Sequence, residues 1–178
     1  MKLVCMSGTA GDAAAAAMIA REPERFAARF PARFLRRVRK PAVPQLPACA
    51  ECPVPIGEGG LWAALWRLGE QAKTGLAVDA AAVPILQETV ELCEAAGEDP
   101  YRLPSAGAVF LMEPSDAASM EDAGLRRLIE RRERMEAGST GEPAAGAAGP
   151  AFAVIGHTTE HAARTVRIGE RIRYLDRG

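Results

Sequence analysis

Apolar residues in this chain come in runs of about five, each bounded by turn-forming residues and separated by stretches with helical spacing. Runs of that length suit strands rather than buried helices, so they constrain the fold more than any other feature. Lys2 to Met6, Gly75 to Asp79, Ala108 to Met112 and Phe152 to Gly156 are the clearest. Thr165 to Ile168 and Arg171 to Leu175 flank Gly169-Glu170 with the grammar of a β-hairpin. Helical patterns fill the gaps. Asp12 is placed to N-cap an Ala-rich helix ending near Arg21, and Glu24 to Lys40 predicts two short helices broken at or begun by Pro31. Leu61 to Lys73 is amphipathic, Ile85 to Ala96 ends at a Gly97 C-cap, and Ser115 to Glu136 reads as a long charged helix with Leu125, Leu128 and Ile129 inside. Strands alternating with helices, closed by a hairpin, predict an α/β (α+β) two-layer sandwich: a mixed sheet with helices packed on one face.

The 178 residues amount to one domain, spanning 1–178. Five prolines between Pro41 and Pro55 rule out a regular helix there and mark 41–56 as a Pro-rich linker or irregular edge. Residues 137–150 are rich in Gly, Ala and Pro and read as a flexible loop. A formal net charge of −1 removes global basicity as an argument for nucleic acid or an anionic membrane. The arginines on the polar side of 24–40 suit a solvated face or a phosphate contact. No apolar run reaches the roughly 20 residues of a membrane span and no leader pattern opens the chain, so a cytoplasmic protein with reduced thiols is expected.

Gly57-Glu58-Gly59-Gly60 opens directly into a helix. Helix-start amides lack intrahelical partners and carry partial positive charge, and glycine lets an anion approach them, so this turn suits a phosphate or small ligand. A tight turn explains the same glycines, and no Walker lysine follows. Cys49-Ala-Glu-Cys52 has the spacing of zinc sites and redox dithiols. His157 to His161 matches an H-x-x-E-H pattern, but between two predicted strands rather than on the helix that a zinc protease needs. Cys5 and Cys93 read as buried small hydrophobes. Trp62 and Trp66, four apart, share a helix face suited to core or interface. No spacing identifies a nucleophile with its base.

Taken together, Glu58-Gly59-Gly60-Leu61, Ala64-Leu65-Trp66, Gly75 to Asp79, Pro84-Ile85, Glu88 to Glu94, Asp99-Pro100-Tyr101, Leu103 and Ser105-Ala106-Gly107 resemble the C-terminal domain of AIR synthase-related proteins. Within them the hydrogenase maturation factor branch is most similar. Leu3-Val4, Ala20-Arg21-Glu22, Val154-Ile155-Gly156, Gly169-Glu170 and Tyr174-Leu175 extend the resemblance to nearly the whole chain, apart from Arg131 to Pro150. The resemblance implies a domain that sits behind an N-terminal ATP-binding domain supplying the magnesium ligands, and it adds Ser105 and Gly107 to the candidate ligand residues. ATP and magnesium are therefore expected only with such a partner. Ala14 and Ala15 stand in part of the family's Gly-x-x-Gly turn, Val54-Pro55-Ile56-Gly57 replaces its His-Asp strand, and no cysteine tail follows Gly178. The expectation is a stand-alone divergent domain acting as a non-catalytic or half-site partner, homodimeric or docked on a separate ATP-binding subunit. The alternatives are a subunit of an ATP-dependent enzyme whose ATP-binding half is another chain, and a zinc protein using Cys49 and Cys52. Phe26, Phe30, Phe34, Trp62 and Trp66 are the expected exposed docking face.

Overall fold

The computed structural model describes residues 1–38, 43, 45–120 and 152–175. Strands β1 (Leu3–Ser7), β2 (Glu51–Pro55), β3 (Gly75–Asp79), β4 (Ala108–Met112), β5 (Phe152–Thr159), β6 (Arg164–Ile168) and β7 (Arg171–Tyr174) form one mixed sheet, ordered β2-β4-β1-β5-β3-β6-β7. Neighbours are antiparallel except β3 and β6, which are parallel. Each apolar run becomes a strand, and Gly169 turns the hairpin with φ 60°.

The end of the Pro-rich stretch takes the second of its two expected forms, an irregular edge. Its residues 51–55 form β2, which among the described residues pairs only with β4. Pro53 and Pro55 lack amide donors and are tolerated because an edge strand leaves one side unpaired. The pairing is irregular: the register shifts between Glu51 and Val54, and Cys52 takes φ 51°.

Helix α4 (Gly60–Ala72) explains the alternation along the strands. Leu61, Ala64, Leu65 and Leu68 recur at helical spacing and are fully buried against Val4, Met6, Leu76, Val78, Val109, Leu111, Ile155 and Val166. Opposite them, Cys5, Phe110 and Met112 pack with Ala117 and Met120 from the helical residues 114–120. The second face is thus covered over β1 and β4, where the sequence pattern predicts helices on one face alone. The rest of the expected 115–136 helix and the 137–150 loop lie outside the described residues.

Helices α1 (Asp12–Arg21), α2 (Pro23–Ala27), α3 (Ala32–Val38) and α5 (Gln87–Ala96) enclose a separate cluster of Ala15, Met18, Ile19, Phe26, Leu35, Val38, Leu92 and Cys93. Pro23 starts α2 and Gly97, with φ 76°, ends α5, each where its backbone preference allows. Asp12 is the first residue of α1 rather than its cap, which is Gly11 at φ 70°. Among the described residues no helix is long and apolar enough to cross a membrane.

Replacing Leu65, fully buried beneath the sheet, with alanine is expected to cost about 2–5 kcal/mol of unfolding free energy. Val154→Ala, at a side chain 38% exposed, is expected to cost under about 1 kcal/mol. Denaturant titration of both variants checks the contrast, and equal losses would contradict this account of the core.

Candidate functional site

The carboxyl ends of β1 and β2 and the amino end of β4 lie at the same edge of the sheet, because β4 runs antiparallel to both. Three connections therefore meet there: Ser7 to Gly11, Gly57 to Gly60, and Ser105 to Gly107. The Ile56 amide donates to the Gly107 carbonyl at 3.1 Å, and the Ser105 amide donates to the Ile56 carbonyl at 2.9 Å. The structure thus brings together Gly57, Glu58, Gly59, Gly60, Ser105 and Gly107, the six residues that the sequence singles out.

Around Ser105 and Gly107 the polar groups are already bonded to one another. The Ser105 hydroxyl accepts a 2.7 Å bond from the Gly11 amide. Asp12, 6% exposed, accepts from the Ala106 amide at 2.8 Å and from its neighbour Ala13 at 2.7 Å, while Thr9 donates to its other oxygen at 3.4 Å. A buried carboxylate is tolerable here because the Ala13 amide in the first turn of α1, the Ala106 amide ahead of β4 and the Thr9 hydroxyl all donate to it. The Ser7 hydroxyl accepts from the Ala108 amide and donates to the Ala108 carbonyl. Asp12, Ser7 and Thr9 are not among the sequence candidates; their only signal is a Ser-Gly-Thr turn ahead of an Asp.

The glycines divide into two kinds. A Cβ on Gly60, which has φ 66°, would stand 2.3 Å from the Arg102 carbonyl carbon and 2.5 Å from the Tyr101 carbonyl oxygen. The start of α4 is therefore pressed on the 3-10 turn Pro100–Arg102, and Trp62 stacks on Tyr101 with ring centroids 5.0 Å apart. A Cβ on Gly107 would stand 1.8 Å from the Ser7 carbonyl oxygen. Protein backbone occupies the room that a ligand would need beside both. Gly57, by contrast, has nothing within 4 Å of its Cβ position, Glu58 is exposed, and Gly59 takes φ 77° for the turn. The open part of the candidate turn is Gly57 to Gly59.

A magnesium nucleotide needs converging carboxylates and free amide donors. No three His, Cys, Asp or Glu converge on a metal position among the described residues, and the buried carboxylate at this edge, Asp12, is spent on backbone. These residues alone do not fit that group.

Cys49 and Cys52 do not share a site. Cys52 packs against the α4 side of the sheet and Cys49 against the opposite side, with its sulfur 3.9 Å from that of Met120. The bulge at Cys52 separates them, so the C-x-x-C spacing does not translate into one ligand pair. His157 lies on β5 and His161 in the following turn, which is not the helix that the zinc-protease pattern requires. The aromatic docking face is also corrected. Phe26 and Trp62 are buried, Phe30 stacks on Phe34 at 4.8 Å, and the Arg164 guanidinium sits 4.5 Å from the Trp66 ring while pairing with Glu70. Among the described residues, the large apolar side chains most exposed to water are instead Met1, Val43 and, on the terminal hairpin, Ile172 and Tyr174.

Two outcomes follow from this geometry. Gly60→Ala is expected to destabilise the fold by more than about 2 kcal/mol, through positive φ and backbone overlap, with Gly57→Ala within about 1 kcal/mol of the parent; thermal melts of the pair check it. Burial pushes the Cys5 thiol up to about 12 and the Cys93 thiol up to about 11. Iodoacetamide at pH 8 should therefore alkylate half-buried Cys49 and Cys52 first, as read by peptide mass mapping, and early labelling of Cys5 would contradict the packing.

A scan against protein-family models finds none that matches. Over 71 residues the chain is 34% identical to "Carbamoyl dehydratase HypE" of Rhodobacter capsulatus, which is 40% of this chain and 21% of that protein. The structure of E. coli HypE, a hydrogenase maturation protein, superimposes with a TM-score of 0.63 at 17% identity, covering 99% of this chain and 50% of that one. HypE in complex with ATP gives 0.63 at 20% identity, over 98% and 50%. Thiamine-monophosphate kinase from Stenotrophomonas maltophilia K279a gives 0.59 at 19%, over 93% and 49%. The chain thus spans about half the length of the solved proteins it matches, and it shares with them the α/β fold of the AIR synthase-related proteins expected from its motifs.

Proposed function

We propose that this chain is an AIR synthase-related half-site module of the hydrogenase maturation type, which presents the Gly57 to Gly59 turn to an ATP-binding half and does not bind nucleotide alone. The observation that carries the reading is the internal use of the site residues. Gly11 and Ala106 amides are bonded to Ser105 and Asp12, and Arg102 and Ser7 backbone fill the space beside Gly60 and Gly107. What remains open is a short stretch of backbone with one exposed carboxylate, Glu58. Such a turn supplies one or two amide donors to an anion that something else holds.

The similarity to HypE, solved with ATP, and a span of about half its length support an ATP-binding half outside these 178 residues. That half is either a separate subunit or a further part of the same polypeptide. A self-paired dimer of this module is the arrangement for a purely scaffolding role. The second reading, a subunit of an ATP-dependent enzyme in which catalysis arises only in the complex, is favoured by the same similarity and needs the same turn.

Calorimetric titration of magnesium ATP into the pure chain, with mass measured by light scattering, tests the proposal. No saturable heat below millimolar nucleotide is expected. Micromolar binding by this chain alone would overturn the half-site reading and make the turn a complete nucleotide site.

A further inference from the structure

Positive charge is concentrated in one part of the molecule. Eight basic and two acidic residues fall between Arg21 and Lys40 of a chain whose net charge is −1, so the remainder is acidic. Within this stretch α3 carries Arg33, Arg36 and Arg37, spaced three and four apart on one helix face. Arg37 is neutralised: it meets the Glu88 carboxylate of α5 at 2.7 Å, where that side chain is only 8% exposed. Arg33 and Arg36 are exposed and have no acidic partner among the described residues. Like charges at this spacing oppose a helix that is only seven residues long, a cost that an incoming anion would relieve. Arg33, Phe34, Arg37 and Glu88 line an open cavity of about 330 Å³.

We infer that this face of α3 is a docking surface for an acidic, carboxylate-bearing segment of a protein partner, with Arg33 and Arg36 as its charge-pairing residues. Charge complementarity sets the sign of the partner. The chemistry of its acidic groups is indicated by Glu88, since the cavity already holds a carboxylate against a guanidinium. Two features weigh against nucleic acid. Phe30 and Phe34 are stacked on each other, 5° from parallel, and the Arg29 guanidinium covers Phe30 at 5.7 Å, so the rings are committed and offer no platform for bases. The seven residues of α3 also span only about 10 Å, too short a track for cooperative phosphate contacts. The surface uses none of the residues of the Gly57 turn and stands or falls separately from the half-site reading.

The test is fluorescence anisotropy with a labelled peptide of alternating glutamate and leucine, at two salt concentrations, against the parent, Arg33→Glu/Arg36→Glu and Arg171→Glu/Arg173→Glu. The last variant makes the same charge change on exposed residues of β7. Saturable binding that weakens with salt is expected, at least about tenfold weaker in the α3 variant and within about twofold in the control. Arg33→Gln/Arg36→Gln serves if charge reversal unfolds α3 by circular dichroism. No saturable binding, equal weakening in both variants, or tighter binding of a single-stranded oligonucleotide of equal charge would overturn the proposal. So would self-association that is lost in the α3 variant without peptide binding, which would make a second copy the occupant.

Discussion

The hydrogen bond from the Gly11 amide to the Ser105 hydroxyl, buried and 2.7 Å long, joins parts of the chain 94 residues apart. Asp12 repeats the join one residue later by accepting from Ala106. Between them these bonds anchor the start of α1 to the entry of β4, and the paired backbone of Ile56 anchors the exit of β2 to the same loop. The edge of the sheet where a ligand would approach is consequently a structural joint. Breaking either side-chain bond leaves a buried donor or carboxylate unsatisfied, at a cost of about 1–3 kcal/mol or more. The placement of α4 depends on the joint as well, because its first residue rests on the turn that leads into this loop.

The local patterns are legible in the sequence. Runs of five apolar residues become strands, Gly97 ends α5, and Gly169-Glu170 turns the hairpin, because each signal lies within a few residues of what it controls. What is not legible depends on distant contacts. Gly57 and Gly60 look alike in the sequence, and only the approach of Arg102 separates an open glycine from an obligatory one. Asp12 looks like a cap because one of its partners, Ala106, is far along the chain. Cys49 and Cys52 have metal-like spacing, but a bulge on an edge strand sends them to opposite faces. The aromatic residues pack inward where exposure is expected, because arginines and neighbouring rings cover their faces.

The candidate site and the basic face of α3 divide the molecule into two kinds of surface. At the sheet edge, the Gly11, Ala106 and Ala108 amides are already bonded within the chain, which is why the proposed reading calls for a second half. On α3, Arg33 and Arg36 have no acidic partner among the described residues, whereas Arg37 meets Glu88. In fold the chain is similar to HypE and thiamine-monophosphate kinase, proteins roughly twice its length.

The most direct measurement is hydrogen exchange followed by mass spectrometry over residues 8–13 and 104–108, with and without magnesium ATP. The account predicts slow exchange of these amides in the free chain, since Ser105, Asp12 and Ser7 already hold them, and no change on adding nucleotide. Fast exchange in the free chain that becomes slow with nucleotide would mean that the joint is an empty binding site, and would contradict the account.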